Sequence, residues 1–373
     1  MIIGIPKESW HDERRVALTP AGSYALTKLG HRVIVHAEAG IGCGFSAEEY
    51  GDAGAVVAFS SEEVFTRADL LVKVMPPTPE ECTWIPDQKF LFSTVHMGTA
   101  NPRVHEALRE KKVTAVGLEF IEDAGQTFPV VTAMAEIAGM LLPQIAGRYL
   151  ETMHGGRGIL LGGVAGIPAS NVVVIGAGMV GTTAAHSFVG AGANVTVMDA
   201  DLNRLRRVEL VLSKMVNTVL ATPYNIERGT RHADVVVGAV MIHRQRAPHV
   251  LTEAMVRHMR RGSVILDVSI DQGGCAETSH PTNLSEPVFK KHGVTHYCVP
   301  NIPSSVARTA SHALNNVMLS FVEDVADKGV EAFSEQPALR RGIYLYDGHC
   351  THEGLAGLLE WECVSTDQVM GSH

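Results

Sequence analysis

NVVVIGAGMVGTTAAHSFVGAGANVTVMD, residues 171–199, decides the fold. An apolar run breaks on glycine, an alanine-rich stretch without proline follows, and a second apolar run closes on Asp199. That rhythm predicts a strand, a helix and a parallel strand. The break between strand and helix carries GxGxxG at Gly176, Gly178 and Gly181. Gly176 permits the tight turn, Gly178 lets a pyrophosphate approach the backbone, and Gly181 lets the helix pack on its strand. The helix start supplies free N–H groups and a positive dipole end for phosphates. Asp199 lies 23 residues after Gly176, close to the spacing of about 20 expected of a ribose-binding carboxylate. The stretch therefore predicts a Rossmann unit holding NAD, and Asp199 favours NAD over NADP because it repels a 2′-phosphate. The competing reading is a glycine turn that binds nothing, with Arg204, Arg206 and Arg207 as a solvated helix face.

Outward from this unit the same alternation continues. Residues 234–240, 263–268 and 295–300 read as further strands, and so do 2–5, 31–37, 69–75, 89–95 and 113–119 before it. Residues 20–30 and 102–112 read as helices between them. Such alternation indicates an α/β fold with two doubly wound, Rossmann-like domains and a cleft between them. Residues 132–151 form an apolar helix candidate interrupted by Pro143. After Pro303 comes a helical run with no strand expected behind it. A tail of helices alone cannot found a third domain, so it should fold back onto the first, making that domain discontinuous. The expected boundaries are 1–130 with 305–373 for the substrate domain and 131–304 for the NAD-binding domain.

Composition sets limits. At 373 residues, 46% hydrophobic and 19% charged, the chain is globular rather than disordered. A net charge of −9 with no long basic run argues against nucleic acid. Six cysteines without a CxxC pair suggest a cytoplasmic chain with neither a disulfide framework nor a thiol-rich metal site. Residues 159–181 are uncharged over a membrane-span length, but six glycines and a proline break any continuous helix there. No membrane span is expected. The N-terminal MIIGIPKES reads as a first strand rather than a signal peptide.

Four ionisable residues stand at or near the carboxyl ends of predicted strands, where wound sheets collect ligands. Arg15 sits in the loop after the first strand, Lys73 interrupts the apolar DLLVKVM, His96 ends FLFSTV, and Asp271 stands where VILDVSIDQGG opens into a turn. Singly, each has an ordinary explanation: a surface arginine, an edge-strand lysine, a core histidine, a loop acid. A lysine between Leu71, Val72, Val74 and Met75 still needs a partner for its charge, and an anionic substrate would be one. The cluster His349, Cys350, Thr351, His352 lacks further spaced ligands and is not expected to bind a metal.

IGIPKE, ERRVALTP, EAGIGCGFSAEEY, ILLGGVAGIP followed by VVVIGAGMVGTTAA, TPYNIE, VILDVSIDQGGCAET and HYCVPNIP occur in this order. Together they resemble the alanine dehydrogenase family, which is related to the nucleotide-binding subunit of proton-translocating transhydrogenases. The resemblance runs from about residue 1 to 330, and THEGL near the C-terminus continues it. It implies an NAD-dependent L-amino-acid dehydrogenase converting a small amino acid to its 2-oxo acid, assembled as a homohexamer. Arg15 and Lys73 would hold the substrate's carboxylate and carbonyl. His96 and Asp271 would be the acid–base pair, with Asp271 facing the cleft opposite His96. Val240, Asn301 and Ile302 would contact the nicotinamide side of NAD. Departures from the family pattern at Val74, Gly98, Ala135, His243–Arg246 and Ser304 bear on which amino acid is the substrate. Two rivals remain: a transhydrogenase-like NAD(H)-binding subunit, against which Asp271 speaks, and a non-catalytic NAD-responsive binding protein.

Overall fold

The computed structural model describes residues 1–97, 100–241 and 246–371. Of the positions singled out above, Gly98, His243, Arg244 and Gln245 lie outside the described residues. The chain divides into two compact units, Met1–Met134 with Ser304–His373, and Ala135–Pro303.

The first unit is built on eight strands: β1 (Ile2–Ile5), β2 (Arg32–His36), β3 (Val56–Ala58), β4 (Leu70–Val72), β5 (Phe90–Ser93) and β6 (Thr114–Gly117), with β14 (Ile343–Tyr346) and β15 (His349–Cys350) from the C-terminal segment. Their order is β15-β14-β6-β5-β4-β1-β2-β3. The first six strands pair in parallel, whereas β14 joins β6 antiparallel and β15 joins β14 antiparallel. The tail is therefore not helical only, which corrects the sequence reading. IYLY lies between Gly342 and Gly348, and its aromatic and branched residues are fully or nearly fully buried against β6. The long helix Ala307–Lys328 also packs in this unit, burying Leu314, Met318, Val322 and Val325 in the core that contains Ile3, Val33 and Val72.

The second unit carries β7 (Asn171–Ile175), β8 (Asn194–Asp199), β9 (Val216–Leu220), β10 (Val235–Gly238), β11 (Val264–Asp267), β12 (Val288–Lys291) and β13 (Val294–Tyr297). Their order is β12-β13-β11-β10-β7-β8-β9, parallel throughout except for β12, which forms a hairpin with β13. The sequence reading had not marked β9 or β12. Residues 159–181 hold an isolated bridge between Val164 and Ile167, then β7 and the glycine turn, and no continuous helix. The helix Pro129–Leu150 keeps Pro143 inside it and is the described helix long and apolar enough to cross a membrane; core helices of soluble proteins pass the same test.

Counting outward from β1, the parallel strands of the first sheet follow the order 3-2-1-4-5-6, and so do those of the second counted from β7. Winding reverses between β1 and β4 in one unit and between β7 and β10 in the other. At such a switch point neighbouring loops leave the sheet in opposite directions and open a crevice at the strand ends. The loops after β1 and β4 carry Arg15 and Lys73; those after β7 and β10 carry the glycine turn and Val240.

Candidate active site

In the first unit the loop after β1 returns Arg15 to the interior, where it is 5% exposed. Glu13 grips it from the side: Nε donates to Oε1 at 2.8 Å and Nη2 to Oε2 at 2.6 Å, while the Arg15 backbone N–H also reaches Oε1 at 2.9 Å. Ser304 supports this carboxylate from the other end of the chain, its hydroxyl 3.3 Å from Oε1 and 2.7 Å from the Asp12 carbonyl. A guanidinium bound through its Nε–Nη2 edge keeps its Nη1–Nη2 end for a second carboxylate. Nη1 lies 3.4 Å from the Met134 sulfur, a weak acceptor that leaves it competent to bind an anion. A cavity of about 180 Å³ adjoins this pair, lined by Glu8, Glu13, Arg15, Lys7 and Glu38 among others. Sequence reasoning missed Glu13. Its signal was the Glu-x-Arg spacing within HDERRVALTP.

Lys73 is enclosed by two carboxylates. It stands one residue past β4, fully buried, with its backbone N–H on the Phe92 carbonyl at 2.8 Å. Its ammonium lies 3.0 and 3.2 Å from the two oxygens of Glu81 and 3.6 Å from Glu8. The charge that a substrate was expected to balance is matched here by two carboxylates of the same unit. Glu81 is also the N3 residue of a capping box with Thr78 at the start of helix Pro79–Trp84. Glu8 accepts the backbone N–H groups of Val74 and Met75 at 2.6 and 3.3 Å. Burial raises Glu8 to about 6 even though Lys73 pulls it down. The three side chains pin the loop after β4.

His96 follows β5 with a left-handed backbone, φ +51°. For a residue bearing a Cβ that conformation costs on the order of 1–2 kcal/mol, so something must hold it. Glu119, just after β6, does: Oε1 accepts the N–H of Val95 at 2.9 Å and of His96 at 3.0 Å, and Oε2 accepts Val95 at 3.1 Å. Burial raises the Glu119 carboxyl above its ordinary range while these backbone donors lower it. The imidazole of His96 is held below its usual pKa, first by burial and then by the positive field of Arg15, with Glu13 opposing. It is therefore neutral at physiological pH and can accept a proton. Glu119 was not foreseen, because its carboxylate works on backbone N–H groups that leave no pattern in the sequence.

In the second unit, Gly176 has φ +108°, and a Cβ there would come within 2.2 Å of the Ala239 carbonyl oxygen across the switch point. A Cβ on Gly181 would come within 1.9 Å of the Gly176 carbonyl oxygen, whereas a Cβ on Gly178 would meet nothing within 4 Å. Two glycines are thus required by packing, and the third faces open space where a pyrophosphate can approach. Asp199 ends β8 and is 8% exposed. One oxygen accepts the Ala177 N–H at 2.7 Å, the other the Asp201 N–H at 2.8 Å, and Arg204 stands 3.9 Å away. Each oxygen retains a lone pair suited to a ribose hydroxyl. These residues fit a dinucleotide. Val240 follows β10 by two residues; Asn301 has φ +57°, and Ile302 is buried in the turn Ile302–Val306.

Asp271 is exposed, in the short 3₁₀ turn Ile270–Gln272 beyond β11. What fixes this turn is another aspartate. Asp267, 1% exposed, accepts N–H groups from Ser269 (3.2 Å), Cys275 (2.9 Å) and Ala276 (3.2 Å), and the Ser279 hydroxyl at 2.6 Å. Gly273 and Gly274, at φ +97° and +80°, let the chain reverse around it. Arg246 packs on Gly273, where a Cβ would lie 2.3 Å from its Nε. The acid inside VILDV is the visible clue to Asp267.

Two family models, the alanine dehydrogenase/PNT N-terminal and C-terminal domains, match residues 4–138 and 143–353. An alanine dehydrogenase of Bacillus subtilis is 42% identical over 372 residues, covering 99% of this chain and 98% of that one. One from Methanococcus maripaludis is 40% identical over 358 residues, covering 95% and 96%. Among solved structures, an L-alanine dehydrogenase superposes with a TM-score of 0.92 at 38% identity, covering 96% of this chain and 99% of that one. A transhydrogenase from Sinorhizobium meliloti shares the fold, with a TM-score of 0.81 at 23% identity. With both domain models matched in order and relatives of this identity spanning nearly the full length, the chain belongs to the alanine dehydrogenase/PNT family.

Proposed function

We propose that this protein is an NAD-dependent L-amino-acid dehydrogenase, with L-alanine its first candidate substrate: alanine, NAD and water give pyruvate, ammonium and NADH, reversibly. The observation that carries the reading is Arg15, buried at the switch point of the first sheet, clamped on one edge by Glu13 and presenting the other to a carboxylate. The names of the family relatives support alanine in particular. When bound, NAD supplies the hydride acceptor for the substrate Cα; the glycine turn, Asp199, Val240, Asn301 and Ile302 would hold it.

The chain's own residues then have the following work. Arg15 holds the substrate carboxylate through its Nη1–Nη2 end. His96, neutral at physiological pH, takes a proton from the water that attacks the imine and returns it as ammonia leaves. Asp271 shares the proton transfers as the other member of the acid–base pair. Glu13, Glu119 and the Lys73 cluster position these groups. The reading also includes a cytoplasmic homohexamer. Met134 against Arg15 and the change at Ala135 favour, as a second reading, the same reaction on a different small amino acid.

The test is a screen of L-amino acids with NAD and of 2-oxo acids with NADH and ammonium. Turnover of alanine and pyruvate is expected. Hydride exchange between nucleotides without amino-acid turnover would support a transhydrogenase-like role instead. Tight NADH binding with no turnover would support a binding protein.

A further inference from the structure

The segment HCTHEGLAGLLEWECVS, residues 349–365, closes on itself. Edge strand β15 leads into helix Glu353–Leu359, which His352 caps by accepting the Leu355 N–H at 3.2 Å. Glu360, at φ +56°, ends the helix and turns the chain back, with the Trp361 N–H on the Ala356 carbonyl at 2.9 Å. Trp361 is held there by the Arg109 guanidinium, 4.6 Å from its ring centroid. The returning chain meets β15 in an isolated parallel bridge whose two partners are Cys350 and Cys363, and the Val364 N–H donates to the Cys350 carbonyl at 2.9 Å.

Bridge partners on neighbouring strands lie about 4.8 Å apart and point their side chains to the same face. A disulfide needs Cα atoms about 4.4–6.8 Å apart, so the backbone already satisfies that requirement. The two cysteines also divide the labour that thiol–disulfide exchange asks for. Cys363 is exposed and open to a reagent, while Cys350 is 3% exposed and stands behind it. The Cys350 thiol donates to the His352 carbonyl at 3.6 Å, a weak bond to give up. Cys275 and Cys298 interact electrostatically in the second unit, but at 1% and 0% exposure they are closed to any reagent.

We propose that Cys350 and Cys363 form a thiol–disulfide exchange site for low-molecular-weight disulfides. The Cys363 thiolate attacks one sulfur of such a disulfide, breaks its S–S bond and expels one thiolate, leaving a mixed disulfide. The Cys350 thiolate then attacks the Cys363 sulfur and expels the second thiolate. The protein loses two thiol protons and two electrons, and the small disulfide is reduced to two thiols. Cys350 is held above its ordinary pKa by burial and by Cys363, with Arg109 opposing; burial and Glu353 do the same for Cys363. Exchange therefore quickens on the alkaline side. The product staples helix Glu353–Leu359 at both ends. That helix borders the loop of His96, since a Cβ on Gly354 would sit 3.3 Å from the Met97 methyl.

The experiment incubates the full-length native protein with glutathione disulfide at mildly alkaline pH. Intact mass and titratable thiols are followed, and the oxidised protein is then peptide-mapped. The expected product has lost two hydrogens and two titratable thiols, with the peptides containing Cys350 and Cys363 linked; dithiothreitol reverses it. Cys350→Ser should stop at a stable glutathione adduct on Cys363. Cys363→Ser should neither lose hydrogens nor take up glutathione. A wild type that halts at the glutathione adduct, or stays fully reduced, would overturn the proposal, because the two sulfurs would then not meet. A link involving any other cysteine would overturn it as well. None of these readouts depends on dehydrogenase activity.

Discussion

Replacing Lys73 by methionine separates a positioning role from a substrate-binding one. The side chain is fully buried, and its ammonium is the counter-charge for Glu81 at 3.0 Å and Glu8 at 3.6 Å. Removing one partner of a buried ion pair typically costs about 3–5 kcal/mol, because an uncompensated charge stays behind. Here two carboxylates are left, so a loss at the upper end of that range is expected. A domain stability of about 5–15 kcal/mol makes that loss visible. It should also depend on pH. Glu8 already sits near 6 with Lys73 beside it, and loss of the ammonium raises it further. A carboxyl raised in the folded state binds more protons there than in the unfolded chain, so stability falls as pH rises. The deficit of Lys73→Met should therefore be smallest below about 6, where the Glu8 carboxyl is protonated in both folded proteins. It should grow as pH rises through about 6 and reach its full size only above the raised Glu8 value. Urea unfolding of the wild type, Lys73→Met, Glu81→Gln and the double variant across this range measures it, and the double variant should recover part of the loss. A Lys73→Met protein as stable as the wild type, with only a raised KM for the 2-oxo acid, would refute the positioning role.

If Asp271 shares the proton transfers, Asp271→Asn should lower turnover by roughly 10²–10⁴-fold while the NADH dissociation constant stays nearly unchanged; near-native steady-state turnover would make it a turn residue only. Glu119→Ala removes the acceptor for the Val95 and His96 N–H groups and should reduce kcat by about 10–100-fold through misplacement of His96. Glu119→Gln keeps one carbonyl oxygen for those donors and should remain near native, and the acid limb of the Glu119→Ala pH–rate profile should move up toward the ordinary histidine value as the imidazole becomes hydrated. NAD should be preferred over NADP by at least about tenfold, or 1.4 kcal/mol, measured as kcat/KM with each; equal use would mean that Arg204, which stands 3.9 Å from Asp199, offsets its charge.

What could be read along the chain is what local physics writes there. The glycine turn at 176–181 is legible because a strand end that must pass close to another backbone tolerates no Cβ, and the contact of Gly176 with Ala239 is that constraint in three dimensions. The parallel strands show as apolar runs because both of their faces are covered. Asp271 was visible as an acid at the end of such a run. IYLY at 343–346, bounded by glycines, carried a strand signal that was passed over in favour of the surrounding helices, and the Thr78–Glu81 capping box was equally open to reading. Other features were decided only by the tertiary structure. Whether Lys73 meets a substrate or a carboxylate depends on Glu8, 65 residues earlier, arriving beside it because β1 and β4 are neighbours. Glu119 can hold His96 only because β5 and β6 pair in register, and Ser304 reaches Glu13 from 291 residues away. A charge's partner is set by strand order and chain return, and a periodicity or a turn signal spans too few residues to encode either.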